Sequence, residues 1–404
     1  MSQRKIRVLQ LIHSFGLGGA EKVVTTLAVN MDRQRFEVIP CAIESSGPFE
    51  EDLKTAGIPY RVLGRRRRSI LTGPLFVADC QRLLVALTEL LRELSIDIVH
   101  THLTQTSLLG IVAARRAGIP RVCATVHSVV MSPRQGRWDP RVFLLRLAIN
   151  KVFPQADRCI AVSQEVNRAI RRHTSISSER ILTIPNGVDL DQFQLQADRL
   201  TLRARLGLPA DRLVAVTIGR LTHLKGHIYL QAAMASIPPE QRPLMLIVGD
   251  GPDRNELESR TTAMELNRDI RFLGNRRDIP TLLAAADLFV LSSLWEGLPL
   301  VLLEAMAAGL PAVVTAVGGN PGVMENGVSG VLVPPGDERA LAKALSSLLN
   351  DPLQRERMGQ AARQRVARNF SVQKFVEAHE HLYETLFAEH SSRSAHASRS
   401  AYAI

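Results

Sequence analysis

Short apolar runs alternate with longer amphipathic stretches along most of the chain, and these two periods set the first expectations. Residues 6–12, 36–43, 96–100, 121–126, 158–162 and 181–184 are almost uninterruptedly apolar, the pattern of strands covered on both faces. Between them, 21–31, 83–94, 108–117 and 141–153 carry apolar residues at helical spacing, as core-facing helices do. Strands separated by helices of this size predict a parallel sheet with crossover connections. The alternation then restarts. Residues 213–218, 244–248, 270–272, 288–291, 312–315 and 330–333 read as strands, with helices at 227–234 and 254–264. Pro185-Asn186-Gly187-Val188-Asp189 is a turn-rich junction, followed by a polar stretch over 191–205. The expectation is an α/β fold of two Rossmann-like, doubly wound domains, 1–188 and 189–370. Their strand carboxyl ends are expected to face a central cleft, where open α/β sheets take their ligands. The tail 390–404 is Ser/Arg/Ala-rich without apolar periodicity and is expected to be disordered.

Length agrees with this division, since 404 residues exceed what one hydrophobic core commonly serves. The apolar run 83–91 is about half of the ~20 residues that a membrane span needs. Arg4, Lys5 and Arg7 precede an apolar segment, 8–12, too short for a signal-peptide core. Cys41, Cys80, Cys123 and Cys159 are widely spaced with no CxxC, which fits small core residues in a reducing compartment. A soluble, cytoplasmic protein is expected.

Charge changes the picture more than composition does. The formal net charge is +11, and it is unevenly placed: residues 1–185 hold 27 Lys and Arg against 15 Asp and Glu. A basic half beside a neutral one points to an anionic partner for the first domain. Arg65, Arg66, Arg67 and Arg68 form the densest run. Residues 141–153, where Arg141, Arg146 and Lys151 punctuate an apolar stretch, fit either a helix at a membrane interface or a solvated face over a buried helix. Aromatics are 4% of the chain and no zinc-finger or RNA-binding signature accompanies the basic residues, so nucleic acid is not expected.

Three segments carry candidate chemistry. Gly16-Leu17-Gly18-Gly19-Ala20-Glu21 follows the first strand and opens a helix, where free N–H groups suit a phosphate. A dinucleotide fingerprint would place glycine where Glu21 stands, although Glu44 suits the acidic ribose position. In Gly219-Arg220-Leu221-Thr222-His223-Leu224-Lys225-Gly226, two cations on a loop after a strand suit a diphosphate. In 292–306, Glu296 precedes Gly297-Leu298-Pro299-Leu300 at a helix start, and Glu304 lies inside that helix. A carboxylate repels a diphosphate, so these two glutamates fit sugar hydroxyls, with Arg220 and Lys225 balancing their charge. His127 ends a strand, and His100 and His102 end the preceding one; each could be structural. Asp250-Gly251-Pro252-Asp253 reads as a turn with a helix cap, and no metal constellation or nucleophile elbow is visible.

In order and spacing these segments resemble the retaining glycosyltransferases of family 4, with the GT-B fold. The resemblance spans nearly the whole chain: Gly18–Glu21 (GGAE), His127, 184–189 (IPNGVD), 219–226 (GRLTHLKG), 249–252 (GDGP), the Glu296/Glu304 pair, 318–321 (GGNP) and 330–335 (GVLVPP). It implies a nucleotide-diphosphate sugar, UDP- or GDP-linked, as substrate, held mainly by the second domain. It further implies an acceptor held mainly by the first domain, with no cofactor and no metal. Arg220 and Lys225 would stabilise the departing diphosphate, Glu304 would bond ribose hydroxyls, and Glu296 would bond hydroxyls of the donor sugar. Gly297, Leu298, Pro299 and Leu300 would support sugar and phosphate through their backbone. Gly18 and Gly19 would approach the phosphates, and His127 the transferred sugar. The last helix, 371–389, would pack back on the first domain. One departure stands out: after GGNP the family continues with Glu, where this chain has Gly322, and the departure bears on donor preference.

The expected activity is therefore hexosyl transfer onto an anionic or membrane-carried acceptor, such as a lipid-linked glycan precursor. The Arg65–Arg68 run would contact anionic lipid at the inner face of the membrane. A nucleotide-sugar 2-epimerase on the same fold, a noncatalytic nucleotide-sugar-binding protein, and an NAD-dependent oxidoreductase remain as alternatives.

Overall fold

The structure, a computed structural model, describes residues 4–66, 72, 74–128 and 140–401. It divides into two units, Met1–Pro185 together with Phe375–Ile404, and Asn186–Lys374.

In the first unit the order is β1 (Ile6–Ser14), α1 (Gly19–Asn30), β2 (Phe36–Ser45), α2 (Phe49–Thr55), β3 (Arg61–Val62), α3 (Pro74–Glu93), β4 (Ile98–His102), α4 (Thr104–Ala117), β5 (Arg121–Val126), α5 (Pro140–Val152), β6 (Arg158–Ala161), α6 (Gln164–His173) and β7 (Ile181–Thr183). The strands form one parallel sheet in the order β3-β2-β1-β4-β5-β6-β7. Every residue of β4 is buried, as expected of a central parallel strand with helices on both faces. Two polar residues consequently meet inside the sheet, where Gln10 of β1 registers with His100 of β4.

The second unit runs α7 (Arg199–Leu206), β8 (Val214–Ile218), α8 (His227–Ser236), β9 (Leu244–Val248), α9 (Arg254–Ala263), β10 (Ile270–Gly274), α10 (Ile279–Ala285), β11 (Leu288–Leu291), α11 (Leu300–Ala307), β12 (Ala312–Thr315), α12 (Asn320–Val323), β13 (Val331–Val333), α13 (Glu338–Asn350) and α14 (Pro352–Asn369). Its parallel sheet has the order β10-β9-β8-β11-β12-β13. Strands β8 and β9 (VAVTI and LMLIV) are buried throughout. A final helix, α15 (Val372–Ala401), belongs to the first unit from Phe375 on. In both sheets the strand order reverses between the first strand and its crossover neighbour, β1/β4 and β8/β11. Such a reversal is where doubly wound sheets open to a ligand at their carboxyl ends.

Some elements differ from the sequence expectation, each for a local reason. Helix α3 starts at Pro74, well before residue 83; Leu75 and Val77 in its first turn are exposed and lie outside its buried stripe, so they give no periodic signal. Helices α6, α13 and α14, absent from that expectation, each open on an N-cap and bury a stripe at helical spacing, such as Leu341, Leu345 and Leu348 of α13. Ser163 accepts from Val166 N at 3.2 Å, Asp337 from Ala340 N at 2.9 Å, and Asp351 from Gln354 N at 2.8 Å; a cap of this kind contributes about 1 kcal/mol. The stretch 191–205, read as polar, contains α7. Its buried Arg203 donates to Ala285 O at 3.0 Å and pairs with buried Asp287. Residues 390–401, whose composition predicts disorder, continue α15 to Ala401. They contain no Gly or Pro, and extending a formed helix avoids the cost of nucleating one.

All four cysteines are free, and burial pushes the Cys41 and Cys159 thiols up to about 12. Among the described residues no helix is long and apolar enough to cross a membrane. Arg65 and Arg66 are exposed, while Arg67 and Arg68 lie outside the described residues.

Candidate active site

In the second unit the candidate residues gather at the carboxyl ends of β8 and β11. Beyond β8 the chain turns through Gly219 and Arg220 to a short 3-10 turn, His223–Lys225, and enters α8 at Gly226. Arg220 is exposed, and its guanidinium has no partner among the described residues. The Lys225 stem runs over Gly219, where a Cβ would stand 3.6 Å from Cε. Its ammonium ends 2.6 Å from Glu296 Oε1, and Ser293 Oγ donates to the same oxygen at 2.6 Å. Lys225 and Glu296, expected to act on different parts of a substrate, are thus one ion pair. Charge balance here takes the form of a direct contact, and the buried carboxylate fixes where the cation stands.

The loop after β11 is bolted at several points. Leu294 N donates to Leu224 O at 2.8 Å, and Gly319 N donates to Gly297 O at 2.7 Å. Thr315 Oγ1 donates to Ser293 O at 2.6 Å, and Asn186 Nδ2 to Leu298 O at 2.9 Å. Two glycines allow this packing. Gly226 (φ +63) would place a Cβ 2.1 Å from Ser292 O, and Gly318 (φ +52) one 1.9 Å from Glu296 O. Both contacts are with backbone, in a conformation L side chains rarely adopt, so neither position tolerates another residue cheaply. Pro299 is the N-cap of α11 rather than part of its first turn, and it offers no side-chain cap. The opening N–H groups of that helix therefore depend on other partners. Glu304 is buried within α11.

The departure from the family pattern lies close by. Gly322 and Val323, in α12, have their carbonyls held by Arg365 at 3.2 and 2.6 Å. A Cβ at Gly322 would meet nothing within 4 Å. Asp253 takes the N-cap place of α9 without a side-chain cap bond, while Asp250 Oδ1 accepts from Gly251 N at 2.7 Å.

In the first unit, Gly18 is the N-cap of α1 and Gly19 its first residue. The Glu21 carboxylate folds back over Gly18, so a Cβ there would come within 2.2 Å of Oε2. A carboxylate at the third position of a helix complements the N-terminal dipole, which accounts for Glu21 locally. Glu44 stands 3.3 Å from His13 Nε2. His127, one residue beyond β5, is partly exposed, and its Nε2 lies 3.2 Å from His102 Nδ1. Behind them His100 is pinned by Tyr383 OH at 2.6 Å and Thr125 Oγ1 at 2.7 Å. Burial, reinforced by the neighbouring His379, brings the His127 ring down to about 4. His100 and His102 are likewise lowered, chiefly by burial. This whole group is neutral at physiological pH.

Sequence reasoning passed over Ser293, Asn186, Thr315 and Asn320, whose Nδ2 donates to Thr315 O at 2.9 Å, as functional supports. Asn186 stood inside a motif that the resemblance quotes, yet its bond to Leu298 O needs the fold. Nothing in local spacing marks Ser293 as the second donor to Glu296. Among the described residues no group of three His, Cys, Asp or Glu could hold a metal ion.

Comparison with known proteins places these features in a family. The profile described as Glycosyl transferases group 1 matches residues 198–365, and that described as Glycosyltransferase Family 4 matches 17–192. The chain is similar to the UDP-Gal:alpha-D-GlcNAc-diphosphoundecaprenol alpha-1,3-galactosyltransferase of Escherichia coli, 34% identical over 306 residues, 74% of this chain and 78% of that protein. It is also similar to a D-inositol 3-phosphate glycosyltransferase of Saccharomonospora viridis, 30% identical over 308 residues, covering 72% of this chain and 70% of that one. Among solved structures, Anabaena Alr3699/HepE in complex with UDP and glucose superposes with a TM-score of 0.81 at 26% identity, covering 94% of this chain and all of that one.

Proposed function

The chain belongs to glycosyltransferase family 4, and from that premise we propose a retaining, metal-independent transfer of a hexose from a UDP-sugar to a lipid-linked glycan precursor. The Lys225–Glu296–Ser293 cluster, with Arg220 on the same loop after β8 and without a partner among the described residues, carries this reading. Departure of a diphosphate builds negative charge on its bridging oxygen. Two cations already in place stabilise that charge without reorganisation, an effect of several kcal/mol in a dry site. Arg220 forks onto the diphosphate oxygens, and Lys225, oriented by Glu296, acts as a point charge. The second oxygen of Glu296 accepts from a sugar hydroxyl, and Glu304 accepts from the ribose hydroxyls. Backbone groups of Gly297, Leu298, Pro299 and Leu300 support sugar and phosphate, and Gly18, Gly19 and His127 serve from the first unit.

In the transfer itself the bond from the anomeric carbon to phosphate oxygen breaks. The acceptor hydroxyl oxygen forms the new bond on the same face, and its proton passes to the departing phosphate oxygen. The products are UDP and a glycoside of unchanged anomeric configuration. No protein nucleophile is required; the chain's own contribution is positioning and fixed charge. Preference for UDP over GDP rests on the E. coli relative, whose name specifies UDP-galactose, and on the Anabaena structure, which holds UDP and glucose. The name of the same E. coli protein specifies a diphosphoundecaprenol acceptor, which supports a lipid-linked one here.

We place the working position at the cytoplasmic face of the membrane. The basic first half supports this, as do Phe143, Leu144 and Leu147 of α5, each about half exposed. Basic residues at an anionic leaflet contribute ~1 kcal/mol each. Replacing Arg65–Arg68 with Gln is expected to weaken binding to phosphatidylglycerol vesicles at low salt; unchanged binding removes this placement.

The decisive test of the chemistry is a thermal-shift and hydrolysis screen of UDP- and GDP-sugars in EDTA. A UDP-sugar is expected to stabilise the protein and yield product of retained configuration by NMR. Stabilisation that survives Lys225→Ala and Glu296→Ala undiminished would overturn the site. An epimerised sugar with no transfer would favour the epimerase.

A further inference from the structure

Behind His127 the first unit holds three buried histidines, His100, His102 and His379, to which the transfer assigns no role. Their rings form a row: His127 to His102 with centroids 5.4 Å apart, His102 to His100 at 4.1 Å, and His100 to His379 at 5.7 Å. His100 cannot turn, because both its nitrogens are engaged, by Tyr383 and Thr125. His379 Nδ1 donates to Phe375 O, a carbonyl that can only accept, so Nδ1 carries its proton. The next residue after His102 is Leu103, whose φ of +68 is strained for a leucine; such strain persists only where surrounding structure imposes it.

The His102–His127 contact has a consequence for protons. Both rings are neutral, so one nitrogen of the 3.2 Å pair donates and the other accepts. If His127 Nε2 donated, His102 would carry its own proton on Nε2. That atom is fully buried and has no partner among the described residues, and a buried N–H without an acceptor is a rare kind of unsatisfied group. The reverse arrangement leaves only a bare lone pair there. His102 Nδ1–H therefore donates to His127 Nε2, and the proton of His127 sits on Nδ1. This Nδ1 is not among the buried unpartnered atoms and has no partner among the described residues.

We propose that His102 is a positioning residue that locks His127 in its Nδ1–H tautomer, so that His127 meets substrate as a hydrogen-bond donor. The inference rests on the transferase reading for what that donor serves, a hydroxyl oxygen of the transferred sugar. The tautomer itself stands on the geometry of the first unit. The imidazole row keeps the His102 ring in place, and it makes a charge on any one ring costly to its neighbours.

Long-range proton–nitrogen NMR on the intact wild-type protein reads the tautomer, with His127→Gln identifying the signals. Protonated Nδ1 and bare Nε2 are expected at pH 7.5; protonated Nε2 overturns the proposal, whatever the enzyme does. A matched pair of variants then tests the function. In His102→Asn the amide N–H takes the place of the donor, and kcat/KM for transfer is expected within about threefold of wild type. In His102→Asp an acceptor faces His127 Nε2, and kcat/KM is expected to fall about 10- to 100-fold, as loss of an orienting partner commonly costs. Equal losses in the two isosteres would mean that His102 is merely structural and would overturn the proposal. If the expected tautomer is found and no nucleotide sugar is turned over by wild type, the transferase reading fails and the tautomer assignment stands.

Discussion

At the scale of single residues, the pairing of Lys225 with Glu296 decides most. An isolated lysine would sample many positions before the diphosphate left; one held 2.6 Å from a buried carboxylate does not. Lys225→Ala is expected to lower kcat by about 10²–10³, the usual cost of deleting one preorganised charge-stabilising group. Because the deletion leaves the buried Glu296 carboxylate without its cation, stability is expected to fall as well; a steady-state assay beside a melting curve checks both. The same scale governs Gly322. With open space at its Cβ, Gly322→Glu is expected to fold normally and to change the relative kcat/KM among UDP-sugars, read by competing donors in one reaction. The candidate cations and glutamates were legible from residue type and order along the chain. Ser293 was not, because its meeting with Glu296 depends on how the loop closes.

Elements are held to one another at the site by close backbone approach as well as by side-chain bonds. Gly318 lets the segment after β12 touch Glu296 O, and Gly226 lets the start of α8 touch Ser292 O. Gly318→Ala is expected to push the 292–299 loop away and lower both stability and kcat, whereas Gly322→Ala, a few residues on, leaves both near wild type. Denaturant titration and initial rates separate the two outcomes. The β-strands were visible as apolar runs because parallel strands are covered on both faces. Helices α6, α13 and α14 were passed over although each carries both signals, as in α14, where the Asp351 cap precedes a stripe of Met358, Ala362 and Val366. The early start of helix α3 was different: its first turns bury little, so their apolar residues carry no periodic signal.

For the whole molecule, the final helix completes a unit that lies far from it in sequence. Glu380 accepts from Asp32 N at 2.8 Å and pairs with Arg35 at 3.1 Å, Glu389 pairs with Arg158 at 2.6 Å, and Tyr383 reaches His100. Deleting residues 375–404 is therefore expected to destabilise the first unit while the second keeps its own unfolding transition, which calorimetry resolves. The buried histidines make stability depend on pH. His127 and His379 in the first unit and His227 in the second are each held down to about 4, chiefly by burial, against 6.5 when unfolded. Above pH 6.5 both states are neutral and stability is full; as pH falls from 6.5 toward 4 the unfolded chain takes up protons that the folded one refuses. Each ring then costs up to about 1.4 kcal/mol per pH unit, so the melting temperature should drop between pH 7 and pH 5. A flat profile would mean that these rings are solvated. The chain's order of apolar runs was enough to determine two doubly wound α/β units, and the order of its polar motifs enough to show the resemblance to family 4 glycosyltransferases. Both are properties of local period and spacing, which survive in one dimension. What only the tertiary structure decided is which polar groups meet: Lys225 with Glu296, Asn186 with Leu298, and His102 with His127. Those meetings depend on strand register and on glycines that allow loops to touch, and neither is written in the spacing of residues along the chain.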